Sequence, residues 1–210
     1  MTILWDWNGT LISDVEHVVR TNNLILSRFG YRDTSVEEYR RLFRHPVHEY
    51  YYDIGVTPED FPKVAKEWNA AYVAGFGCVP LAPGVVDALR RFRAAGHKQV
   101  IISASQVDQL RAQVKRFPEL EGMFDEVIGL DNVLAVGKVH LAQEFLARTG
   151  GDPADTVFLG DTTHDAETAA GIGCRCYLIE GGHQERRVLE SASNARIVPA
   201  IGEVLRELGV

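Results

Sequence analysis

Residues 2–11 read TILWDWNGTL. A short apolar run leads into Asp6, and the Asn8–Gly9 pair that follows is a tight-turn signal. Residues 2–7 therefore read as a short buried strand with a carboxylate near its end. A carboxylate is costly in an apolar core, so Asp6 belongs where the strand ends and a pocket opens.

Downstream of that strand the pattern changes to helical spacing. Val15, Val18, Val19, Leu24, Ile25 and Phe29 share one face, and Gly30 ends the run. Residues 35–75 read as helical pieces punctuated by Pro46, Pro58 and Pro62, with no convincing strand. The segment GFGCVPLAPG, residues 75–84, has the glycine and proline content of a linker. Beyond it, strands are expected at 99–102, 126–129, 156–159, 175–179 and 195–198. Helices are expected at 85–95, 106–117, 139–149, 166–170 and 201–208. Strands alternating with helices of this kind are parallel βαβ units. The economical fold is α/β. A Rossmann-like parallel sheet flanked by helices takes residues 1–14 and 80–210, and an all-helical cap, residues 15–79, is inserted over its C-terminal edge. Parallel sheets bind ligands at that edge.

Composition narrows the function. Lys and Arg number 22 against 29 Asp and Glu, a formal charge of −7, which does not favour a nucleic-acid backbone. Arg40, Arg41 and Arg44 are the densest basic group and read equally as a solvated helix face. No 18-residue apolar run predicts a membrane span. The first apolar segment contains Asp6 and lacks a basic leader, unlike a signal peptide. Three cysteines, Cys78, Cys174 and Cys176, do not make a disulfide framework, and the expected location is cytoplasmic. Monomer and homodimer are both open.

Three polar positions stand just past apolar strands: Asp6, Ser103 and Asp161. In a parallel sheet they converge on one edge, and Asp165 in GDTTHD could return to the same pocket. Clustered carboxylates repel one another, and a hard divalent cation relieves the conflict. Mg²⁺ suits oxygen ligands and accompanies phosphate chemistry. Lys138, at the start of a helix, could add positive charge. The competing reading makes each aspartate a helix cap or turn residue.

DWNGTL (residues 6–11), Ser103 in VIISAS, Lys138 and GDTTHD (160–165) occur in the order of four motifs, and on them the chain resembles the haloacid dehalogenase superfamily of hydrolases. The helical insert resembles the cap of phosphoglycolate phosphatase-like members. The resemblance implies that Asp6 attacks phosphorus to form an aspartyl-phosphate. It also implies that Asp6, the backbone carbonyl of Asn8, Asp161 and Asp165 serve Mg²⁺. Ser103 and the Ala104 N–H would bind the phosphoryl group, and Lys138 would offset charge. Gly9 lets the chain turn tightly beside the phosphate. Thr10 either caps the turn or meets the ligand. Arg44, His45 and His48 are candidate substrate contacts from the cap. The implied partner is a small phosphorylated metabolite.

One position departs from the family pattern. Phosphatases of this superfamily usually carry a second aspartate two residues after the nucleophile, as general acid and base, and here that residue is Asn8. Loss of such help costs about 10²–10⁴-fold. Phosphomonoester hydrolysis, C–P cleavage like that of phosphonoacetaldehyde hydrolase, and phospho-ligand binding with little turnover all remain open. C–P cleavage needs an amine, for which the cap offers Lys63 and Lys66. His45, His48 and His164 are candidate substitute proton donors. If the amide is simply a missing acid, Asn8→Asp should raise phosphatase activity.

Overall fold

The structure, a computed structural model, describes residues 1–131 and 138–210. Its sheet holds β1 (Thr2–Trp5), β2 (Lys98–Gln106), β3 (Glu126–Leu130), β4 (Thr156–Gly160), β5 (Arg175–Ile179) and β6 (Ala195–Val198). Their order is β3-β2-β1-β4-β5-β6, and every pairing is parallel. The chain starts at β1, builds outward to β3, then returns to the other side of β1 with β4. That reversal leaves a crevice past the end of β1, where α/β sheets hold ligands.

Both faces of β1 are buried. Ile3 and Trp5 face one apolar cluster and Leu4 faces the other, as the period of two requires. Trp5 meets Phe92 edge-on at 5.8 Å and donates to Gln99 Oε1 at 3.2 Å. Trp7 is also fully buried and donates to Gln113 Oε1 at 2.8 Å, so it is core and does not border the pocket.

Between β1 and β2 lie α1 (Val15–Arg28), α2 (Val36–Leu42), α3 (Val47–Asp53) and α4 (Phe61–Gly75), an inserted all-helical cap. Its interior is aromatic. Tyr39, Tyr50, Tyr51 and Tyr72 are buried, and their apolar cluster runs on without a break to Trp5 and Phe92 under the sheet. Of the three consecutive tyrosines, Tyr52 alone turns outward. The remaining helices are α5 (Val85–Ala94), α6 (Val107–Val114), α7 (Lys138–Thr149), α8 (Thr163–Ile172), α9 (Arg186–Leu189) and α10 (Ile201–Leu208).

Two elements differ from the sequence reading near the site. Strand β2 continues to Gln106 instead of stopping at residue 102, and its pairing with β3 shifts register between Ile102 and Gln106. Ser103, Ala104 and Ser105 are therefore held extended. Helix α8 begins at Thr163, ahead of the expected residue 166. Thr162 and Asp165 form a reciprocal capping box there, and polar residues in the first turn conceal it from a reading of apolar period.

Candidate active site

Asp6, Asp161 and Asp165 meet at the end of the sheet, each offering an oxygen within 4.8 Å of the others. Strand β1 delivers Asp6, whose N–H still donates to Leu159 O on β4 at 2.8 Å. Strand β4 delivers Asp161, and the first turn of α8 returns Asp165. Gly160 permits that return: a Cβ there would lie 2.2 Å from the Asp165 carboxyl carbon. Lys138, the first residue of α7, places its ammonium between Asp6 and Asp165 and pairs with both. Val136 and Gly137, which precede it in the motif, lie outside the described residues.

The charges do not balance. All four side chains are buried. Burial, with repulsion from Asp165 and Asp161, raises the Asp6 carboxyl well above its usual range despite Lys138. Burial and Asp165 push Asp161 up to about 6, against the pull of His183. Asp165 goes the other way, because Lys138 and Thr162 outweigh its burial. Burial would lower Lys138, yet Asp165 and Asp6 outweigh it and raise it. Three buried carboxylates facing one ammonium leave oxygen ligands for a further cation. The donor set is oxygen throughout, which fits a hard dication such as Mg²⁺.

Neighbouring residues orient these groups. Thr10 donates to Asp161 Oδ1 at 3.0 Å. The other Asp161 oxygen accepts from the backbone N–H of His183 at 2.6 Å. Gly9, at φ 72°, is required by protein atoms: an added Cβ would stand 2.2 Å from Asp161 Oδ2 and 2.5 Å from His183 Cδ2. Asp165 Oδ2 accepts from Asp161 N, Thr162 N and Thr162 Oγ1 at 3.1, 2.9 and 2.8 Å.

Ser103 is buried and reaches the Asn8 amide through one intermediary. Its Oγ donates to Ser105 Oγ at 3.2 Å, and Ser105 Oγ donates to Asn8 Oδ1 at 3.0 Å. Ala104 is exposed. The Asn8 amide also donates to Asp14 Oδ2 and to the Tyr72 hydroxyl, each at 2.8 Å.

The cap candidates separate. His45 stacks on His164 of α8, ring centres 4.4 Å apart, and so crosses from cap to core beside Asp165. Arg44 instead pairs with Glu49 and Asp53 on the cap surface. His48 packs against Tyr52 and Phe61, within the cap. Neither is brought to the carboxylates. Lys63 and Lys66 are exposed on α4, with Lys63 pairing at 3.7 Å to Asp60, so neither is a buried amine facing the site.

Residues 3–179 match the haloacid dehalogenase-like hydrolase family. The chain belongs to that family. A phosphoglycolate phosphatase of Synechococcus elongatus is 25% identical over 90% of this chain and 88% of its own. The tyrosine-protein kinase PtkA of Mycobacterium tuberculosis is 23% identical over 99% of this chain and 72% of its own. Among solved structures, a haloacid dehalogenase-like hydrolase from Streptococcus pneumoniae superposes with a TM-score of 0.86 at 19% identity, covering 99% of this chain and 97% of that one. Family, cap and tri-aspartate cluster together make this a phosphatase-like enzyme. No helix among the described residues is long and apolar enough to cross a membrane.

Sequence reasoning passed over Asp14, Ser105 and His183. Asp14 stands just before an apolar helix, which is the signature of an N-cap, yet its side chain makes no capping bond to α1. His183 follows Gly181 and Gly182 in what reads as a plain loop. The signal was the second glycine: a Cβ at Gly182 would lie 2.2 Å from Asp161 Oδ2. Ser105 was hidden because the strand was expected to end before it.

Proposed function

We propose that the protein hydrolyses a small phosphomonoester with the help of Mg²⁺, through an aspartyl-phosphate on Asp6. The observation that supports this reading best is the bridge of Lys138 between Asp6 and Asp165, with Asp161 alongside. An Asp6 oxygen would attack phosphorus as the bond to the leaving oxygen breaks. Water would then attack the same phosphorus, releasing inorganic phosphate and restoring the carboxylate. Asp6, Asp161, Asp165 and the Asn8 backbone carbonyl are the groups to hold Mg²⁺, which when bound supplies positive charge toward the phosphoryl oxygens. Lys138 favours the ionised form of Asp6 against its burial and orients it, and Ser103 would donate to the phosphoryl group. Asn8 has no proton to exchange at neutral pH, so esters with good leaving groups should turn over fastest. The buried cluster beneath the cap suits a small metabolite better than a folded phosphoprotein.

A phosphate-release screen over sugar phosphates, phosphoglycolate, nucleotides and aryl phosphates, with Asp6→Asn as control, tests this reading. Release from at least one small ester, dependent on Mg²⁺ and on Asp6, is expected. Tight binding of such esters without release would mark a phospho-ligand module instead. The exposed cap lysines offer the C–P reading no buried amine, so phosphomonoester hydrolysis is the reading favoured here.

A further inference from the structure

The carboxylate of Asp14 is fully buried and accepts from four donors. Oδ1 takes the Gly9 N–H at 2.9 Å and His183 Nε2 at 3.1 Å. Oδ2 takes Asn8 Nδ2 at 2.8 Å and the Tyr72 hydroxyl at 2.7 Å. Those contacts join the turn after β1, the loop after β5, and α4 of the cap. The Asn8 amide is saturated too: its nitrogen donates to Asp14 and Tyr72, and its oxygen accepts from Ser105. Tyr39, on α2, adds a 2.8 Å hydrogen bond to His183 Nδ1 on the far side of the ring.

A carboxyl group at position 8 would face Asp14 with an acceptor where a donor now stands, 2.8 Å away. Like charges at that separation, one fully buried and the other half-buried, repel. The amide is therefore more than an acid that is missing. We propose that Asp14 is a positioning residue that selects an amide at position 8, and that Tyr72 ties the orientation of that amide to the cap. This deepens the phosphatase reading and rests on it for its catalytic consequence. It also reverses the simple expectation for Asn8→Asp: the lone substitution should damage the protein, because the partner at position 14 is wrong for it.

An exchange of the two groups is the test. In Asn8→Asp/Asp14→Asn, the new amide at 14 keeps an oxygen for Gly9 and His183 and turns its nitrogen toward position 8. The Tyr72 hydroxyl can donate to the new carboxylate, and the net charge is unchanged. Thermal unfolding of the metal-free proteins is compared for the parent chain, each single variant and the double. Each single variant should melt lower by about 4–8 °C, and the double should recover at least about half of the Asn8→Asp loss. A double variant that melts no higher than Asn8→Asp, or that does not fold, overturns the proposal. No substrate enters that measurement, so failure of the phosphatase reading leaves it decisive. Where an ester is turned over, kcat of the double should exceed that of Asn8→Asp about tenfold, with KM within about twofold. Tyr72→Phe, which keeps the ring and removes only the hydroxyl, should lower kcat with little change in KM; an unchanged kcat removes the cap from the proposal.

Discussion

Two buried carboxylate clusters sit side by side at the end of this sheet, and burial does not distinguish them. Asp6 and Asp161 are driven up, while Asp14, at least as deeply buried, is driven down because His183, Asn8 and Tyr72 outweigh its desolvation. The difference lies in partners. Asp14 has one adjacent cation, His183, and a donor for every lone-pair direction it uses. Of the other three aspartates, Asp6 and Asp165 share one lysine, and Asp161 has the pull of the same His183. A cluster whose charge is satisfied holds structure together. A cluster left short of positive charge is poised to receive a cation and a reacting phosphoryl group.

The sharpest way to break this contrast is at the nucleophile. Asp6→Asn should lower phosphate release by at least about 10³-fold, because the covalent route is lost outright. It should also leave the fold intact, since one repelling carboxylate has been removed. Circular dichroism and a phosphate assay read both; retained turnover would remove Asp6 from the mechanism. Next in size is Lys138→Met. Turnover should fall about 10²–10³-fold as transition-state charge loses its counter-charge. Breaking a buried pair costs about 3–5 kcal/mol, so without divalent cation this variant should unfold at markedly lower urea than Asp6→Asn. Equal stability of the two would mean that the ammonium does not balance the cluster.

Metal addition sharpens the same point from the other direction. Mg²⁺ at about a hundred times its dissociation constant contributes about 2.7 kcal/mol, which corresponds to about 5–11 °C in Tm for a chain of this size. Asp161→Asn should lose most of that rise, and Asp14→Asn should keep it, because Asp14 is already satisfied. Calorimetric titration checks the same claim without any substrate. No binding at millimolar Mg²⁺ by a folded protein would defeat the metal assignment.

The sequence made one cluster legible and concealed the other, for a physical reason. Asp6 and Asp161 interrupt apolar strands, and a polar residue at a strand end announces an edge. Asp165 and Lys138 fall within the family's ordered motifs. Asp14 and His183 lie 169 positions apart, and each sits where local chemistry offers an ordinary explanation. A carboxylate before a helix reads as a cap, and a histidine after two glycines reads as a loop. Their partnership depends on the return of the chain after β5, which no local pattern encodes. The cap histidines show the same limit. His45 and His48 are near-equivalent in sequence, and only packing sends one to α8 and the other against Tyr52 and Phe61 of the cap.

Histidine provides the smallest test of the contrast, because the two clusters hold imidazoles in opposite states. His183, against Asp14, is raised to about 9: burial works against its charge, but Asp14, Asp161 and Asp6 outweigh it. His45 is lowered to about 3, first by burial and then by His164, with Lys138 and His183 adding to the effect and Asp165 opposing it. A histidine that is neutral when folded and has an ordinary pKa of about 6.5 when unfolded binds its extra proton only in the unfolded chain. Its contribution is therefore level above about pH 6.5, and stability falls as pH drops from there toward about 3. The slope approaches about 1.4 kcal/mol per pH unit, less whatever solvent screening reaches this partly buried ring. His45→Phe keeps a flat ring for His164 to stack on and removes the titration. Carboxylates protonate in both proteins and largely cancel in the comparison. Urea unfolding at about pH 7 and about pH 5 should show the parent chain losing about 1–2 kcal/mol more than His45→Phe over that interval. An equal loss would mean that His45 can take up a proton where it stands, which would return it to the candidates for supplying the proton that Asn8 cannot.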